Sequence, residues 1–138
     1  MKGFALFYGV VFLLIGIMGM IPGITPPHED PNMVVQTGLG LAMGLFPVNV
    51  IHNVVHVVFG VWGLAASRTY TAARGYARAV AVIYALLAVM GLIGAAGINT
   101  TFGLVPLYGH DVWLHALLAA GAAYFGFARR DQEVPSAA

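Results

Sequence analysis

His52 and His56 stand four residues apart in the run Val48-Asn49-Val50-Ile51-His52-Asn53-Val54-Val55-His56. On an α-helix that spacing sends both imidazoles from one face, one turn apart, as a helical two-ligand chelate for a transition metal requires. Asp111 and His115 repeat the spacing in a second apolar segment and add a carboxylate and another imidazole. Such a set can bind zinc, copper or iron, with Asp111 as a ligand or as the acceptor that fixes a histidine tautomer. A haem, whose iron takes one histidine from each of two facing helices, is compatible with the same residues, and Gly60 and Gly63 leave room for a flat macrocycle. Asn49 and Asn53 share the face of His52 and His56 and are candidate supporting groups, as is His110 beside Asp111. The same side chains can instead form a hydrogen-bonded network that only holds helices together. His28, between prolines and acidic residues, reads as a solvated loop residue.

Other chemistries drop out. The chain has no cysteine, which removes disulfides, thiolate zinc sites, iron-sulfur clusters and thiol nucleophiles. Ser67 and Ser136 have no base nearby in sequence, and Glu29-Asp30 reads as a solvated acidic loop.

The elements that must position the histidines follow from composition. Of 138 residues, 60% are hydrophobic and 8% charged, against about 25% charged in an ordinary soluble domain. The mean hydropathy is +0.88. This is the composition of an integral membrane protein, and six Lys and Arg against five Asp and Glu leave no basic footprint for nucleic acid. A bilayer core takes about 20 apolar residues of helix, and uncharged stretches of that length run over about 3–21, 48–67, 77–96 and 111–128. The expected fold is therefore all-α, a four-helix transmembrane bundle over residues 1–130 with a short polar tail over 131–138. The long connection between the first two helices should be structured. Asp30-Pro31 is a candidate helix start, and the glycine-rich apolar run 38–46 a candidate interfacial or re-entrant cap.

Every Lys and Arg falls on one side of this topology: Lys2, Arg68, Arg74, Arg78, Arg129 and Arg130. The positive-inside rule then places both termini in the cytoplasm, the chain in the inner membrane, and all five histidines at the outer ends of the helices. Small-residue stripes mark packing seams: Gly9, Gly16, Gly19 and Gly23 in the first helix, and Ala81, Ala85, Ala88, Gly91 and Ala95 in the third.

The stretch Leu45-Phe46-Pro47-Val48-Asn49 through His52, Asn53, His56, Phe59 and Gly60, with Gly103-Leu104-Val105-Pro106-Leu107-Tyr108-Gly109-His110-Asp111-Val112-Trp113-Leu114-His115, resembles the two motifs of a bacterial family of small four-helix membrane proteins of unknown function. The resemblance implies that the two polar stripes belong together and supplies no reaction. A looser likeness in architecture is to DoxX-type four-helix proteins of quinone or thiosulfate redox chemistry. Two functions from different classes follow. One is an outward-facing histidine cluster binding a transition metal or haem, where an open coordination position would serve hydrolytic or redox catalysis. The other is a structural or assembly subunit that joins itself or another membrane subunit through its Gly and Ala seams.

Overall fold

The computed structural model describes residues 1–128. The tail expected over 131–138, and Arg129 and Arg130 that close the fourth expected span, lie outside the described residues. The chain is mostly helical: α1 (Lys2–Met18), a hairpin of β1 (Gly40–Ala42) and β2 (Phe46–Val48), then α2 (Val50–Ala66), α3 (Tyr70–Gly91), a 3₁₀ segment (Ala95–Thr100) and α4 (Asp111–Ala123), which widens into a π-helical turn (Tyr124–Ala128). Two of these helical stretches, Tyr70–Gly91 and Asp111–Ala128, are long and apolar enough to cross a membrane, and the apolar helices Lys2–Met18 and Val50–Ala66 are shorter.

α1 and α2 pass at backbone contact along a glycine seam. A Cβ added at Gly9 would lie 2.8 Å from the Leu64 amide nitrogen, and one at Gly63 would lie 2.7 Å from the Gly9 Cα. Only glycine permits this approach. Gly16 continues the seam against Asn53, whereas Gly23 meets nothing. In α3 the buried face runs through Ala77, Val80, Ala81, Tyr84, Ala88 and Gly91. Ala85 and Ala95, expected on that seam, are exposed, and Tyr84 takes the place of Ala85.

Helix boundaries follow their caps. Asn49 is extended, and its Oδ1 accepts the His52 amide at 3.0 Å, which starts α2. The Thr69 hydroxyl accepts the Ala72 amide at 3.2 Å, so α3 begins at Tyr70 rather than near 77. Arg74 and Arg78 do not break it, because their Nε groups donate to the Gly126 carbonyl at 3.4 and 2.9 Å. That carbonyl lies in the π-helical turn.

The first connection is ordered, but not as the sequence suggests. No helix starts at Asp30: its Oδ1 accepts the Asn32 amide at 2.9 Å in a local turn, and the Val34 and Val35 amides bond the Gly103 carbonyl of the second connection. The apolar run 38–46 is a hairpin. It turns back at Met43 and Gly44, both at positive φ (53° and 71°), to pair Ala42 with Phe46 and Gly40 with Val48. The two connections thus cover one end of the helices together, the end that carries His52, His56, Asp111 and His115. The opposite end carries Lys2, Arg68, Arg74 and Arg78.

Candidate metal centre

His52 lies in the first turn of α2 and His56 one turn further, while Asp111 opens α4 and His115 lies one turn along it. All four residues are buried, none more than 3% exposed. Each of the three histidines offers a ring nitrogen within 4.8 Å of those of the other two. The Asp111 Oδ2 sits between α2 and α4, 3.6 Å from His52 Nε2 and 3.5 Å from His115 Nε2. It accepts no hydrogen bond.

These distances are long for a good hydrogen bond between imidazole and carboxylate. The spacing of Asp111 Oδ2 from these two nitrogens fits another geometry. Ligand bonds of about 2.0–2.2 Å in a tetrahedron place neighbouring ligand atoms about 3.3–3.6 Å apart. His52 Nδ1, His56 Nδ1 and His115 Nδ1 are also buried without a partner. A network that served only as interhelical glue would satisfy such atoms, because each one left bare costs about 1–3 kcal/mol. Ring packing holds the imidazoles instead. His52 and His56 stack with centroids 4.6 Å apart, Phe12 stacks on His56 at 5.8 Å, and Tyr84 meets His115 edge-on at 5.1 Å.

The supporting residues divide. Asn49 does not face the cluster: besides capping α2, its Nδ2 donates to the carbonyls of Leu104 at 2.8 Å and Val35 at 3.2 Å. It therefore ties both connections to the turn that carries His52. Asn53 is buried with an unpartnered Oδ1, and its side chain fills the place a Cβ would take at Gly19. His110 is exposed, and its Nδ1 accepts the Trp113 indole N–H at 2.9 Å, so it stands apart from the cluster. His28 also lies elsewhere, with Nε2 3.2 Å from the Tyr108 hydroxyl. Beside it, partial burial pushes the Asp30 carboxyl up. Hydrogen bonds from the Asn32 amide, the Tyr108 hydroxyl and the Asn32 side chain, with His28 nearby, outweigh this and hold it below the usual range.

Two side chains of the site were not read from sequence. Tyr84 and Phe12 wall the imidazoles, yet α1 and α3 read as seams without chemistry. A tyrosine in the middle of an apolar helix is a signal in itself, because its hydroxyl needs a polar surrounding. Phe12 carries no such mark. Apolar cavities flank the cluster, one of about 110 Å³ against His52, Tyr84 and His115 and one of about 200 Å³ against His56 and Asp111.

Over residues 2–128 the chain matches the family described as a domain of unknown function (DUF4383), and it belongs to that family. No curated protein and no solved structure matches it.

Proposed function

We propose that this chain is a four-helix integral membrane protein whose histidine cluster binds one transition-metal ion through His52, His56 and His115, with Asp111 as fourth ligand. The observation that carries the reading is the Asp111 oxygen without a hydrogen bond, at coordination spacing from two imidazole nitrogens of different helices. An ion fits better than haem. A macrocycle would have to part His52 and His56, whose rings stack on the same helix, and the Asp111 carboxylate occupies the space between α2 and α4. The donor set of nitrogen and carboxylate oxygen suits zinc, copper or iron.

The membrane reading rests on the outward faces. Phe7, Leu14, Val58, Val82, Leu86 and Leu117, drawn from all four helices, are each more than half exposed, a girdle that water would not tolerate. With the cationic residues at the far end, the positive-inside rule gives cytoplasmic termini and an outward-facing metal centre. A cysteine at Glu29 is then labelled by an impermeant thiol reagent from outside and one at Arg74 is not; the reverse pattern refutes this orientation. The assembly-subunit alternative loses support, because Gly9, Gly16, Gly60 and Gly63 are spent within the chain, between α1 and α2.

The test is stoichiometry. Purified without chelator and supplied in turn with zinc, copper, iron and haem, the protein should retain one metal ion per chain, and His56→Ala none. Retention of no ion by the unmutated chain would reduce the cluster to packing.

A further inference from the structure

Arg74 and Arg78 stand one turn apart near the start of α3, and both Nε groups donate to one oxygen, the Gly126 carbonyl, at 3.4 and 2.9 Å. The two guanidinium groups are therefore held side by side. Their frame is tight: a Cβ added at Gly126 would lie 3.0 Å from the Arg78 amide nitrogen, and the Arg78 guanidinium carbon sits 5.4 Å from the centroid of the Phe127 ring. The shared carbonyl does not balance them. A helix C-terminus offers about half a negative charge, whereas the pair brings two full positive ones. No carboxylate among the described residues pairs with either arginine, since the ion pairs there are those of Asp111 with His52 and His115. Like charges at this range repel, and an anion between them turns the repulsion into attraction.

We propose that Arg74 and Arg78 together bind the phosphate of an anionic glycerophospholipid, whose acyl chain lies along α3 towards the histidine end. With each Nε committed to Gly126, the terminal N–H groups of both forks are left for phosphate oxygens. The occupant is a lipid rather than free phosphate, because the same helix continues as an exposed apolar stripe. Val82 and Leu86, one and two turns beyond Arg78, are 62% and 58% exposed. A ligand with an anionic head and a hydrocarbon chain meets both features. A zwitterionic head would bring its own ammonium group against the two arginines, so the anionic class is preferred. The inference rests on the membrane reading above and is independent of the metal.

Native mass spectrometry tests this on the whole chain, extracted in mild detergent from vesicles of equal parts phosphatidylglycerol and phosphatidylcholine with the same acyl chains. The expected result is retention of phosphatidylglycerol in about tenfold or greater preference over phosphatidylcholine. Arg74→Gln with Arg78→Gln removes the preference; if that double variant loses its helical circular dichroism, Arg78→Gln alone reduces it by about threefold or more. Arg68→Gln, which takes one charge from the same end and leaves the pair intact, keeps it. Equal retention of the two lipids overturns the site. So does a loss in Arg68→Gln equal to that in Arg78→Gln, which would reflect net charge alone. Displacement of the lipid by inorganic phosphate would make the pair a site for a soluble anion and overturn the lipid assignment. A preference that emerges only in Asp131→Asn with Glu133→Gln would make those carboxylates the occupant and overturn it likewise. A chain that does not enter the vesicles refutes the membrane reading, and this inference with it.

Discussion

At the cationic end of the helices, buried polar groups find backbone carbonyls. Tyr8 donates to Leu118, Tyr76 to Phe59, and Arg78 to Gly126, around a core of Phe4, Phe12, Ala73, Ala77 and Val80. At the histidine end the reverse holds. All five buried side-chain atoms without a partner among the described residues lie there, on His52, Asn53, His56, Asp111 and His115, as do the two apolar cavities against the imidazoles. The difference between the two ends is one of satisfaction: one end pairs its buried polar groups with backbone carbonyls, and the other leaves ring nitrogens, an amide oxygen and a carboxylate oxygen without a protein partner. Buried polar atoms left bare are costly.

Substitutions at the two ends should therefore fail differently. The largest effect belongs to the packed seam. Gly9→Leu places a side chain against the backbone of α2 and should cost about 3 kcal/mol, read as loss of helical signal at lower denaturant in detergent; a near-neutral result would show that the seam gives way. Next is His56→Ala. The unmutated protein should gain about 2.7 kcal/mol of stability when the metal is at a hundred times its Kd, and the variant should gain nothing while remaining folded. An equal gain in both would place the metal elsewhere.

Asn49→Ala touches both regions. Losing the α2 cap costs about 1 kcal/mol, and the freed carbonyls of Val35 and Leu104 add to it. Because the cap fixes the turn that carries His52, metal affinity should also fall by about tenfold, measured by competition with a chromophoric chelator. Unchanged affinity would mean that His52 is positioned without its cap.

The smallest effect lies in the first connection. The carboxyl of Asp30 is held below its usual range, so its stabilising contribution is present above the unfolded value near 3.9 and is lost as pH falls through the folded one. Asp30 is only partly buried and lies in a surface turn, so the acid limb below about pH 4 should be shallow, and absent in Asp30→Asn. A transition at neutral pH in that variant would contradict this sign.

Much of this was legible from spacing. The apolar runs announce four helices, and the intervals 52/56 and 111/115 put the cluster on facing helices. Where reading stopped, contacts distant in sequence decide. Nothing local tells the run 38–46 to fold as a hairpin, because its glycines suit a turn and a re-entrant cap alike. The start of α3 was missed because Arg74 and Arg78 read as breaks until Gly126, about fifty residues on, supplies their acceptor. Asn49 on the polar face is a candidate supporting group in the sequence, although an Asn directly before an apolar helix is a capping signal. The exposed His110 shows the converse, since adjacency in sequence to Asp111 did not bring it to the cluster.

The central claim is that one ion sits among His52, His56, His115 and Asp111. X-ray absorption at the zinc edge of protein loaded with one equivalent tests it most directly. The account predicts a four-coordinate sphere at about 2.0–2.1 Å with the multiple-scattering signature of three imidazoles, reduced or lost in His115→Ala. A sphere of oxygen atoms alone, or an imidazole signature unchanged in His115→Ala, would contradict it.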